Sequence, residues 1–269
     1  MYISVIIPTY KPGNYIFECL NSICSQTLDK DCYEIIVVLN GCKEPWLTKL
    51  NEYNSQVGER LYIIQVDQGG VSNARNIGID SSRGDFIMFL DDDDYVSPST
   101  LSDLFTNARE DVVTVFKPMA FYEGGDIFEY SRTREYLEKS QLGSVSINKV
   151  RKVFSGPVMK LIPRNVIGNR RFNTRFRIGE DSLLMFLISN KIEAVNFAPE
   201  SAIYYRRIRE NSATTSNGSF LKAASNSFAL IKEYTKIYFK HPLQYSFSFY
   251  ITRVLGAIKA VLFARGATF

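Results

Sequence analysis

The chain has a single histidine, His241, and four cysteines, Cys19, Cys24, Cys32 and Cys42, all near its start and none in CxxC spacing. That scarcity argues against a zinc site and a disulfide framework. No stretch reaches about 18 uninterrupted apolar residues, so a clean transmembrane helix is absent. Met1 is not followed by a charged-then-apolar leader, and with free thiols this points to the cytosol. The first apolar run, ending at Ile7, is followed neither by a Gly- and Lys/Arg-rich phosphate loop nor by GxGxxG, which disfavours a nucleotidyltransferase and a dinucleotide-dependent dehydrogenase. Internal repeats and low-complexity segments are also missing. No nucleic-acid partner is expected.

What is present is an ordinary globular composition: 269 residues, 45% hydrophobic, enough for one large core or two small ones. The formal charge of +4 is unevenly placed, because the residues from Ser219 onward carry +6 and the remainder −2. The basic part is the tail.

The most informative stretch is Gly84-Asp85-Phe86-Ile87-Met88-Phe89-Leu90-Asp91-Asp92-Asp93-Asp94, an apolar run that ends abruptly in four carboxylates. Adjacent acids repel one another, so their concentration at the end of a strand suggests a cation. Oxygen-only ligands favour Mg²⁺ or Mn²⁺ over zinc. The alternative is an acidic loop capping a helix that begins at Ser97-Pro98.

Around it, Tyr2 to Ile7, Glu34 to Leu39, Leu61 to Val66 and Phe86 to Leu90 read as buried strands, with helices expected over Asn14–Gln26, from Pro45 and over Val71–Asp80. Strands alternating with helices at this spacing imply an α/β fold with a mainly parallel sheet covered on both faces. Ligands bind beyond the strand C-termini of such sheets. Pro8-Thr9-Tyr10, Leu39-Asn40-Gly41 and Asp91 to Asp94 are therefore expected in one crevice. After Val112 to Phe116 the alternation dissolves. Residues 117–153 read as an insertion that shapes a second binding surface, followed by a helix from Glu180 and strands at Glu193–Phe197 and Ala202–Arg206. Glu180 and Asp181 open that helix, where the helix dipole favours carboxylates and a purely structural first-turn role is the alternative.

Beyond Asn217 the chain reads as two helices parted by His241-Pro242. Leu243, Phe247, Tyr250, Ile251, Val254, Leu255, Ile258, Val261 and Leu262 share one broad apolar face, with Arg253 and Lys259 outside it. The segment 243–265 is expected either to lie on an anionic membrane as a peripheral contact or to pack on the catalytic part or a second subunit.

Residues 2–215 resemble the family-2 inverting glycosyltransferases, which have the GT-A fold and use nucleotide-sugar donors. Four pieces carry the resemblance in order: Val5-Ile6-Ile7-Pro8-Thr9-Tyr10, Gly70-Val71-Ser72-Asn73-Ala74-Arg75-Asn76-Ile77-Gly78, the strand ending in Asp91-Asp92-Asp93-Asp94, and Gly179-Glu180-Asp181. Each alone is weak, but the ordered set is specific.

The resemblance implies that Pro8, Thr9 and Tyr10 line the nucleobase pocket and that Arg75 helps hold the nucleotide. Asp91-Asp92-Asp93 matches the DXD motif, with Asp91 on ribose or metal-bound water, Asp93 on Mn²⁺ or Mg²⁺, and Asp94 as a supporting partner. Asp181 is the implied catalytic base, and Glu180 orients it or the acceptor. Arg207 and Arg209 lie in the segment that reaches the donor diphosphate. Arg209 stands where many members have His and is expected to clamp phosphate, since a guanidinium cannot ligate metal. Lys160 matches a recurrent lysine that is placed either near the acceptor or as structural support. The run Asn211 to Ser219 is expected to be a lid. Where members usually carry an Asp for the base, this chain has Leu39 followed by Asn40, so Asn40 or backbone groups are expected to replace it.

The expected domains are a GT-A domain over 1–217, divided into a nucleotide-binding half (1–116) and an acceptor-binding half (117–217), and a basic helical tail over 218–269. The expected activity is metal-dependent inverting transfer of a hexosyl or N-acetylhexosaminyl group from a UDP-sugar to a glycan or lipid-linked acceptor in bacterial surface polysaccharide or glycolipid synthesis. The location implied is the cytoplasm, with peripheral contact on the inner membrane face. The alternative is a catalytically inactive nucleotide- or sugar-binding protein of the same fold.

Overall fold

The computed structural model describes residues 1–209 and 220–264. Its first half is built from β1 (Ile3–Thr9), α1 (Tyr15–Cys24), β2 (Tyr33–Asn40), α2 (Trp46–Gln56), β3 (Leu61–Val66), α3 (Val71–Ser81), β4 (Phe86–Phe89), β5 (Tyr95–Val96), α4 (Thr100–Asn107) and β6 (Val112–Val115). There follow β7 (Lys117–Tyr122), β8 (Ile127–Phe128), α5 (Ser131–Ser140), β9 (Lys160–Pro163), α6 (Arg164–Ile167), α7 (Glu180–Ile188), β10 (Ala194–Phe197), β11 (Ile203–Ile208), α8 (Phe220–Lys240) and α9 (Phe247–Ala264).

Seven strands form the main sheet in the order β10-β6-β9-β4-β1-β2-β3. The run β3-β2-β1-β4 is parallel throughout, as the uninterrupted apolar strands predict, because both faces of such a sheet must be covered. Alternation along the strands sends Ile3, Val5, Ile7, Met88 and Leu90 to the core beneath α1, and Ile6, Ile87 and Phe89 to the core beneath α7. Strand order reverses between β1 and β4, and this is where open α/β sheets leave a crevice. Thr9 and Asp91 stand at its two lips.

β9 is a strand that the sequence did not announce. It lies antiparallel between β4 and β6 and joins them into one sheet. A fully buried lysine at its start and a proline at its end broke the apolar signal. The segment read as an insertion instead contributes to a second sheet, β5-β11-β7-β8, which carries the Arg207 segment past the acidic loop.

The tail packs on the rest of the chain. Phe186 of α7 makes ring contacts with Tyr234 of α8 at 5.5 Å and with Tyr245 and Phe249 at 5.3 and 5.5 Å. The inner face of α9 is formed by Phe249 and Ala257. Arg253, expected on the charged side, turns inward over the Phe249 ring and donates to the Arg151 and Phe154 carbonyls. Leu243, Phe247, Ile251, Leu255, Ile258 and Leu262 remain exposed, so the apolar face read from the sequence is largely the outer one. No helix among the described residues is long and apolar enough to cross a membrane. The proposed lid, Asn211 to Ser219, lies outside the described residues.

α3 reaches β1 closely because Gly78 faces Ile6, where an added methyl would sit 2.3 Å from Ile6 Cγ2. Gly78→Ala is expected to lower the unfolding free energy by about 1–3 kcal/mol through overpacking, read as a lower urea midpoint with unchanged slope. An unchanged midpoint would show that α3 can shift.

Candidate active site

The centre of the crevice is Arg75, on the second turn of α3 and 4% exposed. Its Nη1 donates to Asp181 Oδ1 at 2.6 Å and its Nη2 to Asp91 Oδ1 at 2.9 Å. Its guanidinium lies 5.5 Å from the centre of the Phe172 ring. The next residue fixes that ring's backbone: Asn76 donates to the Phe172 carbonyl at 2.9 Å and accepts from its N–H at 2.8 Å. The Ala-Arg-Asn run thus joins the end of β4, the loop at Phe172 and the start of α7. Burial works against the Arg75 charge, but Asp181 and Asp91 more than offset it and hold the group firmly protonated. Arg75 therefore stands beneath the carboxylates as their common partner, where the sequence reading had set it against a nucleotide.

The four consecutive acids have four different surroundings. Asp91 faces Arg75. Asp92 accepts from Thr9 Oγ1 at 2.5 Å, and burial raises it to about 7. Asp93 pairs with Arg209 Nη2 at 2.5 Å, and burial with the neighbouring Asp91 charge holds it above the usual carboxylate range. Asp94 is buried, accepting from Tyr204 Oη at 2.6 Å and from the Arg207 N–H at 2.8 Å; burial and the Asp93 and Asp91 charges push it well up. The Tyr204 hydroxyl also accepts from the Asp91 N–H at 3.3 Å.

Arg207 is 6% exposed and spends its donors on the Asp93 carbonyl, Glu18 and Glu123. It braces the acidic loop, and with three of its five donors engaged and the side chain buried it stands beneath that loop. Arg209, whose side chain is 42% exposed, also donates to Tyr15 Oη at 3.0 Å. Glu18, Glu123 and Tyr15 gave no sequence signal, for each reads as an ordinary surface residue.

On the other lip, Asn40 is buried with both ends of its amide engaged: Nδ2 donates to the Thr9 carbonyl at 2.7 Å and Oδ1 accepts from the Gly70 N–H at 2.8 Å. It ties the end of β1 to the start of α3, one layer beneath the surface assigned to it from sequence. Pro8 is likewise buried, opposite Val38. Tyr10 is 54% exposed at the mouth, close to Gly41.

α7 begins after Gly179, whose φ of 90° only glycine adopts freely and whose missing Cβ admits Leu230 of α8. This places Glu180 and Asp181 in the crevice. Burial raises Asp181 in spite of Arg75; among the described residues Asp181 Oδ2 makes no hydrogen bond, and it lies 3.6 Å from where a Cβ of Gly156 would stand. Burial and the Asp181 charge raise Glu180 to about 7.

The Glu180 shift carries a stability signature. Unfolded Glu titrates near 4.3, so between roughly pH 4 and pH 7 the folded state holds the extra proton and stability falls as pH rises. Glu180→Gln removes that loss. It is expected to be more stable than the parent at pH 8, on the order of 2 kcal/mol, and indistinguishable below pH 4. Thermal unfolding at the two pH values checks this, and an equal difference at both would assign the effect to packing.

The Glycosyl transferase family 2 model matches residues 4–178. A relative, the minor teichoic acid biosynthesis protein GgaB of Bacillus subtilis, is 28% identical over 218 residues, covering 78% of this chain and 23% of GgaB. This chain thus spans about a quarter of that relative's length. The poly(ribitol-phosphate) beta-N-acetylglucosaminyltransferase TarP of Staphylococcus aureus is 24% identical over 246 residues, 90% of this chain and 73% of TarP. The crystal structure of S. aureus TarS 1-349 in complex with UDP-GlcNAc superposes with a TM-score of 0.74 at 20% identity, covering 97% of this chain and 73% of that one, and has the same fold. With the family model spanning well over half of its residues, the chain belongs to glycosyl transferase family 2.

Proposed function

We propose that this chain transfers a hexosyl or N-acetylhexosaminyl group from a UDP-sugar, with inversion, to a hydroxyl of a teichoic-acid-type polymer. The observation that carries this is the single guanidinium of Arg75 bonded to both Asp91 and Asp181, which brings the acidic loop and the candidate base into one crevice at the strand reversal. The names and ligands of the relatives support the donor and acceptor classes.

Asp181 is assigned the base. Oδ1 is held by Arg75, leaving Oδ2 to accept the acceptor's hydroxyl proton as its oxygen bonds to the sugar carbon and the bond from that carbon to the diphosphate breaks. Attack from the Asp181 side, opposite the leaving diphosphate, inverts the carbon. Gly156 keeps the approach to Oδ2 narrow but open. Tyr10 is assigned to the nucleobase and Arg209 to the diphosphate, while Asn40, Arg75 and Arg207 hold the frame.

Among the described residues no three His, Cys, Asp or Glu side chains are grouped to hold a metal ion. The acidic loop fits a different mode, in which one or two carboxylates hold Mg²⁺ or Mn²⁺ and substrate phosphates complete the shell. Asp93 and Asp91 are the residues that would hold it, since burial and their mutual repulsion outweigh the Arg209 and Arg207 charges at Asp93. Such an ion supplies neutralisation of the leaving diphosphate.

UDP with Mn²⁺ is expected to raise the melting temperature, by the equivalent of about 2.7 kcal/mol at 100 times the dissociation constant. Asp93→Asn should lose the metal-dependent part. Asp181→Asn should keep the shift while transfer falls at least 10²-fold. No shift with any nucleoside diphosphate and metal would remove the donor site, and near-normal turnover in Asp181→Asn would remove the base.

We assign the outer face of α9 and of the link before it to an anionic membrane surface, since exposed Leu243, Phe247, Leu255, Ile258 and Leu262 share a tail of charge +6. Leu243→Ser, Leu255→Ser and Ile258→Ser combined should abolish co-sedimentation with phosphatidylglycerol vesicles without changing the melting temperature. Unchanged sedimentation, or loss of a dimer in the variant, would assign the face to protein.

A further inference from the structure

A cavity of about 630 Å³ opens between α5, the 147–155 segment and the start of β9. It lies apart from the crevice lips but runs toward the base. Ser155 lines it, and the next residue, Gly156, abuts Asp181. Arg132 and Lys160, both lining it, act electrostatically on Asp181.

Its lining is one-sided in charge. Seven lining residues are Lys or Arg and two, Glu135 and Glu138, are acidic. Among the described residues, Arg132, Lys139, Lys149, Arg151 and Lys152 have no salt-bridge partner. Exposed lysines usually carry little meaning, but Lys160 is 2% exposed at the inner end of this cavity. Its ammonium has three donors and one hydrogen-bond acceptor, the Val158 carbonyl at 3.0 Å. Burial and the nearby Arg132 charge lower it to about 7. Asp181 offsets part of that cost electrostatically without hydrogen-bonding to the ammonium, which leaves two of its three donors for an incoming anion. Just before it, Met159 has a φ of 63°, a conformation that costs a non-glycine residue and that clusters at ligand sites.

We propose that this cavity is the acceptor cleft and that it receives a phosphodiester-linked polyol chain, whose phosphates pair with Arg132, Lys149, Arg151, Lys152 and Lys160 while a hydroxyl reaches Asp181. The site rests on the glycosyl-transfer reading above and adds to it the acceptor's place and the side chains that hold its phosphates. Spaced cations along α5 and the 147–152 loop match a chain with charge at intervals. Arginine pairs with phosphate through two parallel hydrogen bonds, and lysine adds point charge. Single-stranded nucleic acid has the same linkage, but it is held by exposed aromatic faces, and the aromatics here, Phe116 and Tyr136, are 0% and 1% exposed.

The test uses the full chain and a fluorescent glycerol-phosphate hexamer, with hexagalacturonate, maltohexaose and hexathymidylate for comparison. Lys149 and Lys152 are exposed, so Lys149→Glu with Lys152→Glu is not expected to disturb folding. The dissociation constant for the glycerol-phosphate hexamer should rise at least tenfold in the variant and its salt dependence should flatten, while the UDP-with-Mn²⁺ melting shift stays as in the parent. Unchanged hexamer binding in the variant overturns the cleft, as does equal parent binding of maltohexaose. Equal binding of hexagalacturonate or hexathymidylate overturns the polyol-phosphate assignment. Hexamer binding without any UDP shift would sink the transfer reading and leave the cleft standing, whereas a UDP shift without hexamer binding would do the reverse.

Discussion

A guanidinium with almost no contact with water is stable only if its charge is answered close by. Arg75 is answered twice, by carboxylates that arrive on separate elements, Asp91 from the end of β4 and Asp181 from the start of α7. Removing either would leave a buried cation half-paired, so the two ends of the crevice hold each other in place through one side chain. Phe172, Asn76 and the α3 backbone then serve to keep that side chain where it is. The geometry that the proposed chemistry requires is thereby the geometry in which the Arg75 charge is paired.

The same logic explains how four acids in succession persist. Each meets a different partner, Arg75, Thr9, Arg209 or the Tyr204 hydroxyl with the Arg207 amide, so that no two compete for the same donor. Burial nevertheless leaves Asp92, Asp93 and Asp94 reluctant to ionise. Such a loop stores unfavourable charge that a bound cation would relieve, and it is rigid because Tyr204 and Arg207 fasten it to β11 from below.

Much of this was legible in the residues. The unbroken apolar runs at Val5-Ile6-Ile7 and Ile35 to Leu39 specify parallel strands, and Gly-Asp-Phe-Ile-Met-Phe-Leu-Asp specifies a strand that delivers charge to its C-terminal end. What a linear reading could not supply was the partner of each charge. Arg75 meets Asp181 across 106 positions, and nothing local distinguishes an arginine that binds phosphate from one that binds a carboxylate beneath it. Arg207 and Asn40 were placed on the ligand surface for the same reason. β9 escaped because Lys160 looks like a surface residue and Pro163 like a strand breaker; only the sheet around them shows that the first is enclosed and the second sits at an end. The apolar face of α9 was visible by periodicity, but which side was already occupied depended on Phe186, far away in the chain.

The inward turn of Arg253 gives the last helix a role that its position in the chain disguises. Its guanidinium grips the carbonyls of Arg151 and Phe154, and burial makes it a weaker base, at about 10. Those carbonyls belong to the strap that forms one wall of the basic cavity. The terminal helix is consequently a splint for that strap. Shortening the protein ahead of Phe247 would take away two hydrogen bonds and an aromatic backing from a wall some hundred positions earlier, and what looks like harmless trimming would let the wall sag.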